Sequence, residues 1–482
     1  MPNLEPLRPR LHLDVLSSEQ VSAIRAATLD VLEKVGVCFP SKRALTVFED
    51  HGANVDRESH VVRLSPDLVT EAMREAPRSY VLGGRTRSAD LLLDGETCYL
   101  ATDGCGVETL DFETGERRTS RKDDVARMAR VSDFLSSISF YWPMVSAQDH
   151  GKTAPLHELE ASFRNTVKHV QTETVMGRRP AEYAVRMGEA VAGSAQTMRQ
   201  RPPFSVLICT IAPLAQDKEG IEAGMVYAKA GIPVGFMAMP NMGATAPATP
   251  GGALVVGNAE VVSAMVLMQL VAPGAPVFHS ILASVMDPHT AEYVVGIPHK
   301  YLCNAAAVQL AHDWGVPTLA GAFGMDAGES GSWQQGRDNA YTALLVPLAG
   351  ADLITGSGLV EASTLLVPEQ IILDDEVYHT NRILLDGLDT DGESLGLDVI
   401  FDVGPKGHFL AQNHTRQHLR DIWIPTLTHP RPRPEGPPAG DLQERARAEL
   451  RRILADHEPE LLSEATQDEL RSILSVAAQD LG

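Results

Sequence analysis

Between Pro240 and Glu361 the chain repeats one local pattern, and that pattern constrains what it can fold into. Three times an apolar or β-branched run ends in small and polar residues, next to a long segment of helical periodicity. The runs are APGAPVFHSIL, GVPTLAGAF and GADLITG. A parallel barrel uses this alternation of strand, functional loop and helix, and keeps its polar chemistry at the strand ends.

The same rhythm extends upstream. Candidate strands fall at 97–102, 137–145, 168–174, 204–210, 232–239, 275–282, 316–323 and 351–356. Helical segments fall at about 121–135, 156–167, 181–193, 217–230, 251–272, 300–314, 334–349 and 367–386. Eight of each predict an α/β chain of the (β/α)8 barrel type over residues 97–427, including a trailing loop. A doubly wound sheet would call for a G-x-G-x-x-G turn straight after the first strand, and the sequence has none there.

Residues 17–35 carry an N-cap serine and apolar positions at helical spacing, ended by Gly36. Further helices at 41–51 and 66–75, then strands and a hairpin over 78–118, predict a helical and β extension occupying 1–96. Beyond the barrel, 387–406 reads as an acidic, Gly-rich loop and 428–440 as a Pro-rich connector. Residues 441–482 read as a tail of two short amphipathic helices.

The formal charge of −22 argues against nucleic acid or an anionic membrane as partner and favours neutral or cationic ligands. Solubility alone accounts for that charge more simply than ligand steering. The five cysteines, Cys38, Cys98, Cys105, Cys209 and Cys303, form no C-x-x-C and no disulfide pattern, so a reduced, cytoplasmic setting is expected. No signal-peptide core and no run of about 18 apolar residues is apparent, so no membrane span is expected.

Barrel logic directs attention to the strand ends. Those positions supply Asp103, Gln148, Asp149, Glu173, Cys209, Thr210, Met239, His279, Ser280, Asp326, Glu329, Ser357 and Glu361. Any one of them reads as a helix cap or loop staple more readily than as a catalyst; together they predict a site on one rim. His279 faces either the barrel mouth or a helix outside it. Trp142, Tyr141, Phe236, Phe278, Phe323 and Trp333 stand at or near strand ends, where they suit an aromatic cage for an onium cation or ordinary core packing. No H-x-H, H-E-x-x-H or paired-Cys spacing supports a metal site. His408, His414 and His418 read as a polar packing face more readily than as a zinc pair.

Several segments resemble the trimethylamine methyltransferase family, whose members are corrinoid-dependent methylamine and betaine methyltransferases. They are MGATAPATPGGALVVGNAEVVSAMVLMQLVAPGAPV (242–277), MDP (286–288), LAGADLITGSGLVEAS (348–363), EQIILDDE (369–376) and GHFLAQNHTRQHLRDIWIPTL (407–427). The resemblance implies a TIM barrel with added helices and a methyl group passed to cobalt(I) on a separate corrinoid protein. Nothing in this chain resembles the D-x-H-x-x-G motif of a cobalamin-binding domain. One branch of the family carries pyrrolysine in the loop after the seventh strand. Here that loop, 324–336, reads GMDAGESGSWQQG, with Gly328 at the corresponding position; His299 is a second departure, where the family often has an acidic residue. The resemblance is therefore closer to the pyrrolysine-free branch, which implies a quaternary amine such as glycine betaine.

Such a substrate releases a neutral tertiary amine, so the protein has only to hold the cation, exclude water and align one N–CH3 bond. On this reading Trp142, Phe236, Phe278 and Trp333 form the cation site, and Asp326 or Glu361 compensates the charge. His279 and Gln334 orient the far end of the substrate. A metal- or Schiff-base-dependent barrel enzyme, or a non-catalytic onium binder, remain the alternatives, and a homo-oligomer is compatible with the long apolar helix at 251–272.

Overall fold

The computed structural model describes residues 4–104, 106–324, 326–429 and 440–481. Its centre is a path of eight parallel strands: β1 (Tyr99–Thr102), β2 (Ile138–Tyr141), β3 (His169–Thr172), β4 (Phe204–Ile211), β5 (Val234–Ala238), β6 (Val277–Ile281), β7 (Leu319–Gly321) and β8 (Leu353–Ser357). They are ordered β7-β8-β1-β2-β3-β4-β5-β6. The two ends of the path, β6 and β7, meet at one isolated parallel bridge, His279 to Thr318. There the His279 N–H donates to the Pro317 carbonyl at 2.9 Å and the Thr318 hydroxyl donates to the His279 carbonyl at 3.1 Å. The fold is mixed α/β with the expected alternation, but the ladder is not a continuously paired closed barrel.

Three helices precede the sheet: α1 (Ser18–Lys34), α2 (Lys42–Asp50) and α3 (Pro66–Glu75). Ser17 caps α1 in a reciprocal box with Gln20. Between and after the strands come α4 (Lys122–Phe134), α5 (Ala154–Asn165), α6 (Arg178–Ala192), α7 (Lys218–Ala230), α8 (Pro250–Val271), α9 (Pro298–Trp314), α10 (Trp333–Leu348) and α11 (Gln370–Asp386). Their ends follow from local chemistry. Asp217 caps α7 by accepting from the Gly220 N–H at 2.6 Å, and Gly231 closes the helix at φ +79°, a left-handed conformation that glycine adopts without a Cβ clash.

Side chains on the sheet's inner face, including Tyr99, Phe140, Trp142, Leu207, Met237, Phe278, Leu319 and Leu353, form one apolar cluster. Their neighbours on the other face pack beneath the helices. Helix α8 corrects one expectation: by length and composition it is apolar enough to cross a membrane. In this fold 78% of its apolar window is buried, and it packs on α1, α3, β5 and β6.

The N-terminal region is stitched to the sheet, since Val37–Cys38 pairs with Ala215–Gln216 just beyond β4. The segment expected as a loop at 387–406 instead holds two short helices, Gly392–Leu395 and Leu397–Val403. Most of the Pro-rich connector, residues 430–439, lies outside the described residues. The tail helices are α12 (Leu442–Asp456) and α13 (Glu464–Leu481).

Candidate active site

A cavity of about 220 Å³ opens at the C-terminal ends of the strands. Asp103 and Gly104 follow β1, Trp142 follows β2, Glu173 follows β3, and Met237 and Met239 come from the end of β5. Lys300 enters from the first turn of α9, and Phe323, Thr355 and Gly356 come from the ends of β7 and β8. Two small sheets flank the mouth. One pairs Asn241–Met242, Ser284–Met286 and Tyr293–Val294; the other pairs Leu359–Val360, Leu365–Leu366, Glu108–Leu110 and Arg117–Thr119. Tyr293 and Val295 from the first, and Ala362 to Thr364 from the second, reach the cavity.

Trp142 is buried, and its indole lies flush against Gly104, where an added Cβ would stand 2.2 Å from the ring. Only glycine permits that approach. Phe323 is fixed similarly: a Cβ on Gly356, whose φ is +113°, would meet the Phe323 carbonyl at 2.5 Å. Backbone strain marks the opposite lip, where Glu361, Ala362 and Ser363 all have positive φ. Such conformations cost non-glycine residues on the order of 1–2 kcal/mol each. The turn is held by the Glu361 N–H on the Ala327 carbonyl, and it places the Ser363 hydroxyl on Asp103.

The charged groups are set by burial. Asp103 is pushed up to about 7 by loss of solvent, opposed by hydrogen bonds from Ser363 and from the Gly104 N–H at 2.9 Å. Lys300 is pulled down to about 8 by burial, opposed by attraction to Asp326, Asp103 and Asp338. Glu173 accepts a hydrogen bond from the Cys209 thiol at 2.9 Å, while burial and that carboxylate hold the thiol protonated. Glu173 also borders a wider groove of about 540 Å³ lined by Glu158, Cys209, Thr210 and Asp217.

The expected site residues divide sharply. Trp142 lines the cavity. Phe278 belongs to the inner cluster but does not border the cavity, while Phe236 faces the helices. Trp333 is 84% exposed and begins α10 beside the exposed Gln334, so neither reaches the site. His279 lies on the outer face of β6. Its Nε2 pairs with Asn258 of α8 at 3.0 Å, and Asn258 in turn donates to Thr28 of α1 at 3.1 Å. It ties sheet to helices and does not border the cavity.

Asp326 accepts from the N–H groups of Val295 and Gly296, at 2.9 and 2.6 Å. It therefore positions the wall of the cavity from outside. Glu361 is engaged by Arg117 at 3.0 Å on the rim.

Of the remaining rim residues, Ser280 and Ser357 are buried, and Gln148, Asp149 and Glu329 are exposed. His414 and His418 approach each other at 4.3 Å and both contact Glu393, whereas His408 is exposed. Among the described residues no three His, Cys, Asp or Glu side chains are grouped to hold a metal ion.

Lys300 and Tyr293 are among the cavity residues that went unrecognised in the sequence. A signal for Lys300 was present: Pro298 opens α9, so a lysine two residues later falls in the first turn at the strand-end side.

The fold and cavity define a mixed α/β protein whose site lies at the strand ends and combines an aromatic wall with buried charges of both signs. The chain belongs to the trimethylamine methyltransferase (MTTB) family, whose match runs over residues 3–481. It is 34% identical to trimethylamine methyltransferase MttB of Desulfitobacterium hafniense, over 97% of this chain and 94% of that relative. It is 27% identical to a glycine betaine methyltransferase of the same species, over 97% and 98%. The solved monomethylamine methyltransferase of Methanosarcina barkeri matches at TM-score 0.45 and 10% identity, over 96% of this chain and 92% of that one. The protein is thus an enzyme of the methyltransferase class, in a family of corrinoid-dependent methyl transfer.

Proposed function

We propose that this enzyme moves a methyl group from a quaternary amine such as glycine betaine to the cobalt of a separate corrinoid protein, in the cytoplasm. The observation that carries the reading is the cavity itself: small, at the strand ends, with Trp142, Phe323 and Tyr293 beside Asp103 and Glu173. Aromatic faces attract an onium head through their negative quadrupole, by about 2 kcal/mol or more where water is excluded. The two carboxylates supply compensating charge. When the N–CH3 bond breaks, its electron pair stays on nitrogen, so the departing amine is neutral and no side chain has to protonate it.

The corrinoid supplies the nucleophilic cobalt(I). A cavity of about 220 Å³ suits a small amine and is too small for a corrin macrocycle, which supports delivery from outside over the open mouth. We read the eight-strand path as a (β/α)8 barrel whose β6–β7 seam is reduced to one bridge, with residues 97–427 as its catalytic unit.

The higher identity to a trimethylamine methyltransferase favours a second reading, trimethylamine itself. One experiment separates them. The purified chain, candidate corrinoid proteins and a low-potential reductant are incubated with glycine betaine, proline betaine, carnitine or trimethylamine, and the demethylated amine is followed by NMR. A quaternary amine should lose one methyl group and trimethylamine none. Turnover of trimethylamine alone would overturn the proposal, and saturable betaine binding without any transfer would reduce the protein to an onium binder.

A further inference from the structure

We infer that Lys300 sets the specificity of the cavity by pairing with a carboxylate on the substrate. The site then selects N-quaternised amino acids over onium compounds that lack an acid group. The inference rests on the quaternary-amine reading above.

Lys300 is 4% exposed and borders the cavity, which puts its charge within reach of a ligand bound there. Along the sheet, β2 and β6 are four strands apart, and the His279–Thr318 bridge joins the ends of the path. Trp142, at the end of β2, and Lys300, at the start of the helix after β6, therefore stand on opposite walls. The N-terminus of the 17-residue α9 adds partial positive charge to the Lys300 wall.

Glu173 follows β3, next to the Trp142 wall. Asp326, Asp103 and Asp338 attract Lys300 and keep it cationic, and of the three only Asp103 borders the cavity. Asp326 is engaged by the Val295 and Gly296 N–H groups, and Asp338 by Tyr301 and Arg337. The cavity therefore carries Trp142 and Glu173 on one wall and Lys300 on the other, with Asp103, Tyr293 and Phe323 also in its lining. A trimethylammonium head is drawn to Trp142 and Glu173 and repelled by Lys300, while a carboxylate a few bonds away is placed the other way round. A lysine suits this task as a compact point charge with rotatable donors. His279 and Gln334, expected to hold the far end of the substrate, do not reach the cavity, and Lys300 takes over that assignment.

Calorimetry on the full chain tests this with glycine betaine, its carboxamide isostere betaine amide, and tetramethylammonium. Wild type should bind glycine betaine about thirtyfold more tightly than the other two, the scale expected for a charge-assisted contact. Lys300→Met should abolish that preference while changing tetramethylammonium affinity less than about threefold, and Lys300→Arg should restore most of it. Equal binding of glycine betaine and its amide by wild type, which needs no mutant to fold, would overturn the inference and leave the quaternary-amine reading standing. Parallel loss of all three ligands in Lys300→Met, beside normal wild-type preference, would also overturn it. If wild type binds no onium compound, the quaternary-amine reading falls first and the inference with it.

Discussion

His279 shows how one residue of register separates structure from chemistry. Phe278 and His279 are neighbours on β6, yet the first packs inside the sheet and the second beneath α8. Burial, with repulsion from His312 adding to it, pulls the imidazole down to about 3, so the folded protein keeps it neutral. The unfolded chain protonates it near 6.5. The folded pKa lies below the unfolded one, so this stabilisation is complete above about pH 6.5 and is lost as pH falls towards 3. His279→Gln should therefore cost about 1–3 kcal/mol in urea denaturation at pH 7.5, the scale of a buried partner left unsatisfied. The gap between wild type and variant should narrow as pH falls from 7 to 4. Methyl transfer per folded molecule should stay unchanged; loss of turnover with stability intact would place His279 back in the chemistry.

At the scale of elements, the sequence revealed which segments are strands and helices but not which way the strands face. All eight strands and all eight following helices occur where periodicity placed them, because β-branched runs, caps and glycine stops are local signals. Facing is not local. Strands of a parallel sheet are covered on both sides and read as continuous apolar runs, so alternation carries no sign of inside and outside. Phe236 and Met237 are both buried, and only the assembled sheet shows that Met237 reaches the cavity and Phe236 does not. Loop length misled in the same way: after β7 the chain runs on to the N-cap Ser332, which carries Trp333 outward onto α10.

Gly104, in contrast, has a role that the structure makes testable. A methyl group there would overlap the Trp142 indole at 2.2 Å, so the ring would have to turn away from the cavity. Gly104→Ala should raise KM for the quaternary amine about tenfold, the loss of one desolvated cation–π contact. Gly251→Ala, in open space at the start of α8, should leave KM unchanged. Steady-state kinetics on both variants decide the matter, and an unaltered KM in Gly104→Ala would remove Trp142 from the binding wall.

Across the whole molecule, the tail read from sequence as an appendage is part of the core. Helix α13 packs on α5 and α6, with Leu470, Ile473, Leu474 and Ala477 buried among core side chains. Arg179 reaches from the start of α6 to Asp480 at 2.6 Å. Helix α12 lies on α4 and α11, and at its end His457 pairs with the buried Asp133 at 2.8 Å. The sequence showed two amphipathic helices but not their partner face, because that face belongs to helices nearly 300 residues earlier. Burying a Leu or Ile side chain contributes about 1.5–3 kcal/mol, so ending the chain after Ser463 should cost roughly 4–8 kcal/mol. A loss of that size is comparable with the whole stability of a typical domain. Thermal melting of the truncated protein should therefore show either a midpoint lowered by many degrees or no cooperative transition. Leu474→Ala, which removes a single buried side chain, should cost about 2–5 kcal/mol and keep the transition cooperative. An unchanged midpoint on truncation would make the tail dispensable, and the outer layer of α5 and α6 would then have to be stable without it.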